Sequence, residues 1–285
     1  MAQVSIGVPV YNGATTLAAV LECIRVQTFS DFEVIISDNG STDDSREIAT
    51  DFVRRDARFR LVRQPENIGA KNNFLALIEA ARSDLFMWRA DDDLSDPDYL
   101  STLKLHFDEN PNLALAAPYI RFVHDDGSTN YEEVFEMPLI HERARRIGES
   151  LLGASPSWFF GLWRKDMLIA ALDEVLPTYP YVWGWDPIAL LPVLLDEGVE
   201  TDGRAILIKR SISPARYRWL VPAGEMWKMR RAFRKTCFAA MGRRKWTVTE
   251  RCILSLYLVR FANLRVYRFW KTVRAQVREL LGGRK

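Results

Sequence analysis

"VSIGVPVYNGATTLAAVLECIRVQTFSDFEVIISD" spans residues 4–38 and sets a helical pattern between two apolar strands. The run 4–10 is apolar and β-rich. Leu17, Val20, Leu21, Ile24 and Val26 then recur at helical spacing, and "FEVIISD" (32–38) is a second strand. The alternation continues outward. "STDDSREIATDFVRRD" (41–56) predicts a helix with Ser41 as N-cap and acids in its first turn, as the helix dipole favours. Strands are predicted at 59–64 and 85–90, with a helix at 70–83 between them. Pro97 stands in the first turn of a further helix capped by Asp96. This βαβαβαβ order implies an α/β chain with a mostly parallel, doubly wound sheet and helices on both faces. In such sheets ligands bind beyond the carboxyl ends of the strands. Polar residues collect at those ends: Tyr11 and Asn12, Asp38 to Asp43, Glu66 to Lys71, and Asp91 to Asp93.

The last of these groups lies in "RADDDLSDPDYL" (89–100), directly after the apolar strand. Adjacent carboxylates repel, and burying them uncompensated is costly. Either water surrounds them in an ordinary loop, or a cation does.

Beyond residue 110 a strand is expected at 113–123, a "DDGS" turn at 125–128, and an irregular stretch ending in a helix at 131–150. An aromatic strand runs into a helix at 155–175, an aromatic loop into another at 179–198, and a last strand covers 204–213. Cys23, Cys237 and Cys252 are far apart and show no metal-type pairing, which suits a reduced, cytosolic chain. No signal peptide opens the sequence, and no stretch reaches the length of uncharged apolar residues that a membrane-spanning helix needs. The formal net charge of +2 hides an asymmetry. Residues 209–285 hold 21 Lys or Arg against three acids, whereas the preceding 208 residues hold 18 against 34. The C-terminal part is therefore suited to meet something anionic.

The stretch 4–45, followed by "PENIGAKNN" (65–73) and "ADDDLSDPDYL" (90–100) in that order, resembles the family 2 inverting glycosyltransferases. The resemblance implies a GT-A-like nucleotide-sugar-binding fold: a catalytic domain over 1–213, divided into a nucleotide-sugar half (1–110) and an acceptor half (111–213). A basic amphipathic helical region (214–285) would follow. It implies a nucleotide-diphosphate sugar as donor, UDP or TDP favoured, and a glycan or lipid-linked acceptor. It also implies Mn²⁺ or Mg²⁺, held by Asp92 with Asp93 in support, Asp91 facing ribose or metal. Pro9, Tyr11 and Asn12 would border base and ribose. Asp38 would accept from the base, and Asn67, Gly69 and Lys71 would line the donor. Asp186, in "VWGWDPIALL" with Pro187 behind it as the first helical residue, matches the base that takes the acceptor's proton. Trp158, Trp183 and Trp185 could stack on acceptor sugars. The chain departs from the family pattern at Ala90, Asn39 and Trp185, where many members carry acids.

The C-terminal stretch reads as two basic amphipathic helices, 225–245 and 247–281. The second opens with a Thr247/Glu250 capping box and keeps Ile253, Leu256, Tyr257, Phe261 and Leu264 on one face. Three uses fit: an anionic membrane surface, packing or an oligomer contact, and nucleic-acid phosphates. The interleaved aromatics favour the first. The setting implied is bacterial envelope polysaccharide or glycolipid synthesis, peripheral on the cytoplasmic face. Two rival functions keep the fold: transfer onto DNA or protein, and a nucleotide-sugar-binding scaffold without catalysis. A dinucleotide redox enzyme is disfavoured, because no Gly-X-Gly-X-X-Gly follows the first strand.

Overall fold

A computed structural model describes residues 2–124, 126–210 and 221–280, with side chains up to 277. The expected positions Asp125, 211–213 and 281 lie outside the described residues. The chain divides into two compact units: residues 1–136, 157–168 and 198–211 form one, and 137–156, 169–197 and 212–285 the other.

The first unit is built on β1 (Val4–Val10), α1 (Leu17–Arg25), β2 (Phe32–Asp38), α2 (Ser45–Arg55), β3 (Phe59–Arg63), α3 (Ala70–Ala80) and β4 (Leu85–Trp88). After them come β5 (Leu94–Ser95), α4 (Tyr99–Glu109), β6 (Leu115–Val123) and β7 (Thr129–Glu133). A 3₁₀ turn (Pro156–Phe160) leads into β8 (Leu162–Arg164), and β9 (Val199–Arg210) completes the sheet. The sheet order is β3-β2-β1-β4-β8-β6-β9-β5, with β7 beside β6. β3, β2, β1 and β4 are parallel, with Gly7 opposite Ile35 and Trp88, and Val10 opposite Asp38. β8 runs antiparallel between β4 and β6, and β6 pairs parallel with β9. The doubly wound half therefore continues into a mixed half. Every residue of β1 is buried, because helices cover both faces of the sheet. Trp88 stacks on Phe159 at 4.2 Å and meets Phe86 edge-on, filling the core beneath β4.

Two helix starts differ from expectation. α2 begins at Ser45, with Asp44 as N-cap, because Ser41 belongs to a loop that Asp38 and Asn12 hold. α4 begins at Tyr99 behind Asp98, not at Pro97 behind Asp96. Leu94 and Ser95 are drawn into pairing with β9, and buried Gln27 bonds the Asp96 carbonyl at 2.9 Å and the Leu100 N–H at 3.0 Å.

The second unit is helical: α5 (Arg143–Gly153), most of α6 (Lys165–Val175), α7 (Trp185–Leu195), α8 (Ala223–Gly242), α9 (Val248–Arg265) and α10 (Phe269–Leu280). Every residue of α7 except Asp186 is buried, as befits a central helix. α9 opens with the expected Thr247/Glu250 capping box. Its buried face is Leu254, Leu258, Phe261 and Ala262, whereas Leu256 and Leu264 are exposed. The helix expected over 247–281 breaks at Val266. Asn263 accepts from the Phe269 N–H at 2.9 Å, and Arg230 donates to the Tyr267 carbonyl, so side chains satisfy the interrupted backbone. Arg244 bonds Asp196 at 2.6 Å and Glu174 at 2.8 Å and closes the end of α8.

Candidate active site

Three loops at the carboxyl ends of β1, β2 and β3 are laced into one surface. Asn12, in the left-handed region, donates its N–H to Ser41 and accepts from the Thr42 N–H at 2.8 Å. Gly13 and Ala14 donate to Ser45 at 2.9 Å and Asp43 at 3.0 Å. Asp38 is fully buried: one oxygen accepts from the Ser41 N–H and the other from Arg46, each at 2.9 Å. Burial pushes its carboxyl up, but those bonds outweigh it and hold the group below its ordinary value. Asp38 thus fixes the turn at the carboxyl end of β2. Asn39, also buried, accepts from the Ile68 N–H at 2.9 Å and donates to Asn67 at 3.0 Å, and Asn67 in turn accepts from Gly69.

Gly69 sits at φ +84° as N-cap of α3, with open space where a Cβ would stand. Lys71 follows in the first turn, half-buried, its ammonium pushed down by burial and without an ion pair among the described residues. Tyr11 is half-exposed at the rim. Pro9 is buried within β1 opposite Ser37 and shapes the strand end.

The three aspartates after β4 part company. A Cβ on Gly13 would stand 2.3 Å from Asp91 Oδ2, so only glycine lets the β1 loop lie against that carboxyl. Burial, then the neighbouring charge of Asp92, push Asp91 up to about 7. Asp92 is raised by burial and by Asp93, against an opposing pull from Lys209. Asp93 is buried and bound to Lys209 Nζ at 2.6 Å, with that ammonium also 4.4 Å from the Phe160 ring. Asp93, expected in support of a metal, thus has a counter-charge in Lys209. Sequence reasoning missed Lys209, and missed Arg89 too. The Arg89 guanidinium lies 4.7 Å over the Tyr99 ring, buried, with Nε and Nη1 lacking hydrogen-bond partners among the described residues. An arginine between an apolar strand and an acidic run was the available signal.

Trp158 is only 1% exposed and packs against Phe135, which removes it as a sugar platform. In the second unit Trp183 is 48% exposed and stacked on Tyr267, while Trp185 is buried. Asp186, half-buried, is the second residue of α7 behind Gly184 as N-cap, so Pro187 is the third helical residue and not the first.

The sequence profile of glycosyl transferase family 2 matches residues 5–168, more than half of the chain. The chain belongs to glycosyl transferase family 2. It is similar to the putative glycosyltransferase EpsH of Bacillus subtilis (39% identical over 97 residues, 34% of this chain and 28% of that protein). Glycosyltransferase GlyG of Streptococcus pneumoniae is 30% identical over 125 residues, 44% of this chain and 42% of the relative. The matched regions thus span less than half of these relatives' own length. Among solved structures, S. aureus TarS 1-349 in complex with UDP-GlcNAc superposes with TM-score 0.66 at 17% identity, covering 90% of this chain and 71% of that one. The mannosyltransferase PcManGT from Pyrobaculum calidifontis, in complex with GDP-Man and Mn2+, gives 0.59 at 14%, covering 100% and 76%. At these identities the likeness is one of fold.

The acidic loop of this family 2 glycosyltransferase fits a hard divalent cation in one specific way. Among the described residues no three His, Cys, Asp or Glu side chains converge on a metal position. Asp91 and Asp92 nevertheless offer adjacent oxygen donors, both raised by burial, Asp91 further by Asp92 and Asp92 further by Asp93. Magnesium-type ions take one or two protein carboxylates and fill the remaining positions with phosphate and water, which this donor set allows.

Proposed function

We propose that this glycosyltransferase moves a sugar, with inversion, from a nucleotide-diphosphate donor to an acceptor hydroxyl, using a divalent cation held by Asp92 and Asp91. The observation that carries this reading is the pair of half-buried carboxylates, both raised, in the loop at the carboxyl end of β4, where a doubly wound sheet binds ligands. Mn²⁺ or Mg²⁺ bound there would neutralise the charge gathering on the departing diphosphate. Tyr11 and Asn12 border the nucleoside, the Gly69 turn lets backbone approach it, and the Lys71 ammonium meets donor oxygens. Asp186 accepts the proton of the acceptor hydroxyl as its oxygen bonds to the anomeric carbon. The glycosidic bond breaks on the opposite face, and its electron pair leaves with the diphosphate. Trp183 offers its free face to an acceptor sugar. UDP or TDP is the favoured nucleotide, and a glycan or lipid-linked acceptor suits cell-envelope synthesis. The PcManGT complex with Mn2+ and the TarS complex with UDP-GlcNAc support the donor class and the metal by analogy.

Calorimetric titration of UDP, TDP and GDP, with and without Mn²⁺, tests the reading. One nucleotide is expected to bind, needing the metal and losing at least tenfold in affinity in Asp92→Asn. Binding that is indifferent to metal and to Asp92 would overturn the metal assignment. In turnover assays Asp186→Asn should lower kcat by about a hundredfold or more with donor affinity unchanged. Unaltered turnover would remove Asp186 as the base.

A further inference from the structure

Within the second unit, α8 and α10 enclose a cleft of about 480 Å³ lined by Trp227, Arg230, Arg231, Arg234, Lys235 and Phe269. That volume is in the range of ligand sites. Arg230 is 9% exposed, and Nη1 donates to the Tyr267 carbonyl and, at 3.3 Å, to Asn263 Oδ1. These partners are neutral. Burial and the charge of Arg234 both push the Arg230 guanidinium down; the Trp227 and Phe269 rings lie 5.8 and 5.7 Å from it, and no carboxylate meets it among the described residues. Among the described residues Arg231, Arg234 and Lys235 form no ion pair either, whereas Lys228 on the same helix is matched by Glu225 at 2.7 Å. Four cations around one cleft, one of them nine-tenths buried, call for an anion with several acceptor oxygens.

The rim identifies the anion's carrier. On α10, Phe269 is 43%, Trp270 69% and Val277 47% exposed, and Lys271 and Arg274 are exposed beside them. Phe269 meets Trp227 and Trp270 edge-on at 5.6 and 5.3 Å, so the aromatic strip is continuous with the cleft wall. A soluble phosphate would need the cations alone. A nucleic acid would use the aromatic faces but has no use for Val277. An amphiphile uses all of them: phosphate in the cleft, Trp and Phe at the boundary, aliphatic carbon beyond it.

We propose that the α8–α10 cleft binds the phosphate headgroup of an anionic phospholipid, with Phe269, Trp270 and Val277 entering the lipid boundary. No helix among the described residues is long and apolar enough to cross a membrane, so this contact would be a surface one.

Vesicle flotation of the full chain tests it, with pure phosphatidylcholine against the same lipid carrying about one-third phosphatidylglycerol. Binding is expected only to the anionic vesicles, weakening as salt rises. Each cation removed among Arg231→Ala, Arg234→Ala and Lys235→Ala should cost about fivefold, and the three together about a hundredfold. These side chains are exposed and form no ion pair or hydrogen bond among the described residues, and circular dichroism would check that the variants remain native. Trp270→Ser should weaken vesicle binding without altering its salt dependence. Three outcomes would overturn the proposal: equal binding to neutral vesicles, complete competition by free glycerol phosphate, or tight duplex DNA binding, lost in the same triple variant, without vesicle binding.

Discussion

Asp91 and Asp93 are two residues apart in sequence and opposite in environment. Lys209 meets Asp93 from β9, while Asp91 lies against the β1 loop with only like charge near it. The native protein therefore keeps a proton on Asp91 that the unfolded chain loses near 3.8. Between that pH and about 7 the folded state binds the extra proton, so metal-free stability falls as pH rises across the window. Asp91→Asn should remove this slope: at pH ~8 without metal its Tm should exceed the parent's by about 2–4 °C, the two converging near pH ~4. A scan at the two pH values checks it, and equal Tm values at both would mean that Asp91 ionises normally. The acidic run was legible in the sequence because three carboxylates follow an apolar strand. Their division of labour was not, since it depends on Lys209, 116 positions away, and on the missing Cβ of Gly13. Trp158 was misread because a tryptophan's role follows from burial, which one sequence does not display.

At the scale of elements, α4 and β9 are joined by a side-chain cluster with no counterpart in local sequence. His106 on α4 bonds Glu200 at 2.8 Å and Asp202 at 3.0 Å, Asn110 supports Glu200, and Arg204 pairs with Asp202 at 2.7 Å. Burial pulls the His106 imidazole down, but its bonds to Asp202 and Glu200 outweigh that and raise it above 6.5. The raised group's stabilisation is fully present below the unfolded value and is lost as pH climbs through the native one. Against His106→Asn, the parent should be more stable by about 1 kcal/mol near pH ~6, with the gap closing by pH ~9. Urea denaturation at both pH values measures this, and a constant gap would assign His106 to packing alone. Strands β1 and β2 were legible to the residue because apolar runs there are bounded by polar loops. The start of α2 and the break between α9 and α10 were not. Each is set by side-chain bonds to the backbone, partly from far along the chain: Asp38 and distant Asn12 in one case, Asn263 and distant Arg230 in the other. No glycine or proline marks 266–268.

At the scale of the whole molecule, the sequence expectation treats residues 214–285 as a region that follows the catalytic domain. Inside the second unit, however, these helices cover segments that come much earlier in the chain. Tyr257 on α9 donates to Glu149 on α5 at 2.7 Å, and Arg265 donates to the Leu152 carbonyl at 3.0 Å. Phe233 on α8 packs edge-on against fully buried Tyr179 at 5.3 Å, and Thr236 bonds Thr178 at 2.9 Å. Removing α8 and α9 would uncover Tyr179 and the α9-facing side of α5 together as exposed apolar surface. Arg244 would go as well, leaving Glu174 without its 2.8 Å partner. A chain ending at residue 213 should therefore bind a hydrophobic dye strongly and elute as aggregate in size-exclusion chromatography. The same chain eluting as a monodisperse monomer with native-like melting would make 214–285 a separable appendage. The contacts predict the first outcome, because α5 and α7 are amphipathic or apolar helices whose burial α8 and α9 supply.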